Sequence, residues 1–133
     1  MRKAKRAILI GLSVIVAGCA PDAGPSGAML YQQNCVACHG VSGAGDGPLA
    51  GDLPVTPANL RGLAAANDGV FPAEDVMAKV YGYRGRDFDA LMPEFGPVLD
   101  GPTVIWTTPD GRELETPQAL VALTDYVETL QDP

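Results

Sequence analysis

Cys35, Cys38 and His39 stand together in the run Cys35-Val36-Ala37-Cys38-His39, the densest concentration of reactive side chains in the sequence. Two thiols three residues apart, followed at once by an imidazole, meet the requirement for covalent attachment of a c-type haem. One helical turn brings both sulfurs to the same edge, where each can form a thioether with a vinyl group. The imidazole then lies against the porphyrin face and supplies the proximal iron ligand. Two haem-free chemistries fit less well. A thiol-redox Cys-x-x-Cys sits in a βαβ context that is absent here. A structural zinc site wants four ligands, and these three are crowded together with no fourth cysteine to complete the set.

His39 is the sole histidine, so two histidines of one chain cannot both ligate the iron. A sixth ligand has to be a methionine, a lysine, water or nothing. Acid–base catalysis beside an open iron would need a distal proton carrier, and no second histidine exists for that role.

The elements around this motif must export it, tether it and enclose a macrocycle. Arg2, Lys3, Lys5 and Arg6 form a basic start, and Ala7 to Ala17 form an apolar run. That run falls short of the roughly 20 residues that span a bilayer and reads as an export signal. It ends in Val16-Ala17-Gly18-Cys19, which resembles the lipobox of bacterial lipoproteins. That resemblance implies cleavage after residue 18 and acylation of Cys19, at the inner or the outer membrane. Cysteine arithmetic agrees: Cys19 takes lipid, Cys35 and Cys38 take haem, and no odd thiol is left in an oxidising compartment.

The chain has 133 residues, 9 basic and 16 acidic groups, and a net charge of −7. Loss of residues 1–18 removes four basic groups and no acids, leaving a net charge of −11. Such a protein repels phosphates and is no nucleic-acid binder, but it can be steered toward a basic patch on a redox partner. With 16 Gly and 12 Pro, the chain has long irregular connections, and a large apolar cofactor would complete its small core.

Residues 19–26 read as a lipid-anchored flexible tether and 27–133 as one domain. A first helix is expected from Gly27 to Ala37, capped by Ser26. Gly40 to Arg61 is Gly- and Pro-rich and irregular; no strand precedes it and no Lys-Ser/Thr follows, so it is not a phosphate cradle. A second helix is expected over 72–81, opened by Pro72 and stopped by Gly82, with Ala73, Val76, Met77 and Val80 on one face. Pro109-Asp110-Gly111 between two β-prone runs predicts a hairpin over 103–116, with Trp106 packed on the domain or on the haem edge. The last helix is expected to be capped by Thr116 and opened by Pro117, with a stripe of Leu120, Leu123, Val127 and Leu130.

In this setting the chain resembles the class I cytochromes c over about residues 27–130, interrupted by the hairpin. That family has a glycine eight residues and an aromatic four residues before the first haem cysteine, and Gly27 and Tyr31 stand there. The resemblance implies a mostly α fold of three or more helices around one haem, with the hairpin as an insertion. It implies a proline carbonyl as acceptor for the haem histidine; Pro57 best matches, with Pro54 as its rival. It implies a distal methionine, for which Met92-Pro93-Glu94-Phe95 matches closely, and Tyr126 as the aromatic packed near the first helix. Pro93 disfavours helix through Met92, which leaves the thioether free to face the iron. Arg84 and Arg86 are candidates to pair with haem propionates, or are merely solvated. The expected protein is a periplasmic single-electron carrier with His39 and Met92 as axial ligands and one haem c. Its partners are then a redox donor and acceptor, or a membrane oxidoreductase in which it is a fixed subunit. A five-coordinate haem that binds small ligands is the competing class.

Overall fold

The computed structural model describes residues 24, 26–83 and 91–133. Residues 1–23, Arg84 and Arg86 lie outside them, and so do the leader and Cys19. The described residues form five α-helical segments, three single 3₁₀ turns and one hairpin. Helix α1 spans Gly27–Asn34, α2 Val36–His39, α3 Ala73–Tyr81, α4 Gly96–Leu99 and α5 Gln118–Thr129. Strands β1 (Thr103–Thr107) and β2 (Glu113–Pro117) pair antiparallel, with Ile105 opposite Glu115. None of the described helices is long and apolar enough to cross a membrane.

The mostly α fold with a small hairpin is as expected, and the core lies where α1, α3 and α5 meet. Leu120 and Leu123 of α5 are buried, together with Leu30 and Tyr31 of α1 and Met77 and Val80 of α3. The expected faces of α3 and α5 therefore supply the core, and Met77 is a core residue. Ser26 caps α1 as predicted, its Oγ accepting from the Met29 amide at 3.2 Å. Gly27 is where α1 meets α5: a Cβ there would stand 1.9 Å from the Ala122 carbonyl oxygen and 2.8 Å from Tyr126 Cβ. The ring of Tyr126 tilts against that of Tyr31, centroids 5.3 Å apart.

Two boundaries and one element differ from expectation. The first helix stops at Asn34 instead of running to Ala37: Cys35, stretched to φ −115° within the right-handed helical region, closes it with its amide on the Tyr31 carbonyl at 2.8 Å, and the Asn34 side chain donates to the Leu30 carbonyl. The chain then makes the separate turn α2. Thr116 and Pro117 do not start the last helix. They pair with Val104 and Thr103 as the end of β2, and α5 begins at Gln118, whose amide donates to the Pro102 carbonyl at 2.8 Å. Strand pairing takes those residues before helix can. The short α4 was not anticipated; Pro97 near its start and buried Leu99 explain it.

The hairpin closes on Thr108, whose amide donates to the Arg112 carbonyl at 2.8 Å and whose hydroxyl donates to Asp110. That hydroxyl, with Arg112 beside it, holds the Asp110 carboxyl down to about 2. Trp106 packs against the core, and Arg112 ties the turn to Glu74 of α3 at 2.6 Å.

Gly27→Ala is expected to destabilise the domain. Overpacking against a rigid carbonyl costs about 1–3 kcal/mol, against at most about 1 kcal/mol regained in helix propensity. A denaturant midpoint lower than wild type, with an unchanged slope, is the expected result; an unchanged midpoint would mean that the two helices do not need this contact.

Candidate functional site

The short helix α2 carries the motif, and the glycine-rich loop that follows works as its cap. Its last carbonyls would otherwise lack partners. Instead the amides of Leu49, Gly47 and Gly45 fold back onto the carbonyls of Ala37, Cys38 and His39 at 2.9, 3.1 and 2.9 Å. Gly45 permits this with φ +82°, and a Cβ there would meet the Pro57 carbonyl oxygen at 2.5 Å. That close approach brings residues 56–58 beside His39.

His39 is 9% exposed, and its Nδ1 lies 2.9 Å from the Ala58 carbonyl oxygen. A carbonyl only accepts, so Nδ1 carries the proton and Nε2 keeps a lone pair for a metal. The orienting carbonyl is thus that of Ala58 and not that of Pro57. The Pro57 carbonyl is instead the one that faces Gly45.

Cys35, Cys38 and His39 line one cavity of about 520 Å³, inside the roughly 300–1,000 Å³ typical of cofactor sites. Leu53 and Leu60 of the loop, Val76 and Val80 of α3, Phe95, and Leu123 and Val127 of α5 make its wall apolar. Met92 lines the same cavity, half-buried. Met77 is buried in the core and Met29 is half exposed, and neither lines it. Pro57 lines the cavity and Pro54 does not. Among the described residues no group of three or more His, Cys, Asp or Glu side chains could hold a bare metal ion. An apolar cavity of cofactor size with two thiols and an oriented imidazole on its wall fits haem c.

Burial, and then the neighbouring Cys38, pushes the Cys35 thiol up to about 11. This sulfur therefore favours the neutral thiol, which disfavours thiolate redox chemistry.

The comparisons with known proteins agree with this geometry. The family model described as cytochrome c oxidase, cbb3-type, subunit III matches residues 22–107. The chain belongs to that cytochrome c family. The cytochrome therefore carries one covalently bound haem c and is an electron-transfer protein. The matched region ends with β1, so β2 and α5 lie beyond it. No curated protein and no solved structure matches the chain.

Two features of the site had little signal in the sequence. The Ala58 carbonyl is backbone, and any residue type could supply it. Asp75 and Lys79 line the cavity although each sits in an ordinary charged position of α3.

Tyr31 supports the site from behind. Its hydroxyl donates to the Gly40 carbonyl at 2.8 Å, directly after His39. Burial, with smaller contributions from Cys35, Tyr126 and Asp46, pushes the phenol up to about 12. The fold therefore prefers the neutral phenol. Its contribution is complete below the unfolded value of about 10 and is lost as pH rises to about 12. Tyr31→Phe is expected to cost about 0.5–1.5 kcal/mol at neutral pH and to flatten part of the alkaline fall in stability. Equilibrium unfolding at neutral pH and across the alkaline range checks both; an identical alkaline profile would assign that fall to other groups.

Proposed function

We propose that this cytochrome is a single-electron carrier with His39 and Met92 as axial haem ligands, held at the periplasmic side of a bacterial membrane by a lipid on Cys19. The observation that carries the ligand assignment is that Met92 shares the apolar cavity of Cys35, Cys38 and His39. Haem supplies a one-electron iron couple, and a thioether ligand raises its potential relative to a second nitrogen ligand. The chain's own residues do the rest. Cys35 and Cys38 anchor the macrocycle, and the Ala58 carbonyl holds the imidazole in the tautomer that presents Nε2. With haem bound, the apolar wall would keep water from the iron.

The anchor reading rests on the sequence of the leader and on where the domain begins. Gly24 packs beside the Gln118 side chain at the start of α5, five residues after Cys19. Five extended residues reach about 18 Å at most, so an acylated Cys19 would keep that end of the domain close to the bilayer.

The family description favours a second reading, in which the cytochrome is a fixed subunit of a membrane oxidoreductase. Both readings require electron transfer, and they differ in whether the partner is permanent.

Met92→Ala is expected to abolish the weak red absorption band of a thioether-ligated ferric haem while leaving the main haem absorption. Survival of the band, or its absence from the wild type, would reject Met92 and favour a five-coordinate haem. In fractionated cells, Cys19→Ala is expected to move the protein from membrane to soluble fractions. After mild detergent extraction the free carrier runs alone; a stoichiometric complex would establish the subunit reading instead.

A further inference from the structure

The wall of the haem cavity is apolar over most of its extent, and among the described lining residues the formal side-chain charge sits on one helix. Asp75 and Lys79 of α3 line it, four residues apart and both exposed, beside half-buried Val76 and buried Val80. Positions i and i+4 share a helix face. The face that α3 turns to the cavity thus ends, at its solvent edge, in a pair of opposite charges. Lys79 is the sole lysine or arginine among the described lining residues. Other described cations act elsewhere: Arg61 binds Asp132, and Arg112 binds Asp110 and Glu74. Asp75 and Lys79 each interact within the chain, so neither is an idle surface charge.

A haem is apolar except for its two propionate carboxylates, which an apolar wall cannot hold without a cation or water. We propose that Lys79 receives a propionate carboxylate at the cavity mouth and that Asp75 opposes it, making α3 a two-charge regulator of the reduction potential. The proposal rests on the haem c reading and is separate from the Arg84 and Arg86 expectation.

The signs follow from electrostatics. Reduction adds an electron to the iron, so a nearby positive charge favours the ferrous form and a nearby negative charge favours the ferric form. Loss of Lys79 lowers the potential, and loss of the Asp75 charge raises it. Both groups are exposed, so the two effects shrink as the Debye length falls from about 30 Å at 0.01 M salt to about 3 Å at 1 M.

Redox potentiometry of the holoprotein tests this. Lys79→Gln is expected to shift the equilibrium about fivefold toward ferric haem, about 40 mV at about 59 mV per tenfold change for one electron. Asp75→Asn is expected to shift it in the opposite direction, Lys79→Arg to keep the wild-type value, and both shifts to fade in high salt. Unmoved potentials, or shifts of the same sign in both variants, would overturn the proposal while leaving the haem intact. A wild-type protein without haem absorption would instead overturn the haem reading, and this proposal with it.

Discussion

The structure depends on one close approach, the crossing of α1 over α5 at Gly27. With no side chain there, the Ala122 carbonyl reaches the α1 backbone, and Tyr31 one turn later lies against Tyr126. That contact fixes the direction in which α1 delivers Cys35 to the cavity. It also buries Tyr31 so that its hydroxyl can hold the Gly40 carbonyl, directly after the proximal histidine. A packing constraint between two helices thereby becomes a positional constraint on a metal ligand.

The loop after α2 turns the same logic to orientation. A helix of four residues has almost no hydrogen bonding of its own and would fray in isolation. Here the amides of Gly45, Gly47 and Leu49 return to its last carbonyls, and the loop then presents the Ala58 carbonyl to His39. The conformational freedom of the glycines, with φ fixed at the prolines, is used here in a compact wrap. The apolar wall is assembled from α3, α5, Phe95 and this loop, so no single element encloses the site.

The hairpin stands outside this arrangement. Its inner face packs Trp106 onto the core, and Arg112 ties its turn to the first turn of α3. Its outer face carries Ile105 opposite Glu115, with Glu113 on the same strand. The hairpin therefore braces the outside of a helix whose inner face lines the cavity, and it adds acidic surface to a chain that is acidic already.

Much of this was legible in residue types and spacing, because covalent chemistry and helical periodicity are local properties. The Cys35–His39 motif, the sole histidine, the Gly27–Tyr31 offset and the stripe along α5 each identify their roles without coordinates. The hairpin was equally legible from its turn residues. Boundaries were less so: Thr116 and Pro117 have the composition of a helix start, yet a partner strand distant in sequence claims them. Two facts belong to the tertiary structure alone. Which carbonyl orients His39 depends on how Pro57 and Ala58 lie against Gly45, and every residue carries a carbonyl. Which charges face the cavity depends on how α3 is turned against α5, and Asp75 and Lys79 look like any other exposed pair until that packing is set. The sequence by itself determined what is attached and by which atoms; only the packing of distant segments decided what surrounds it.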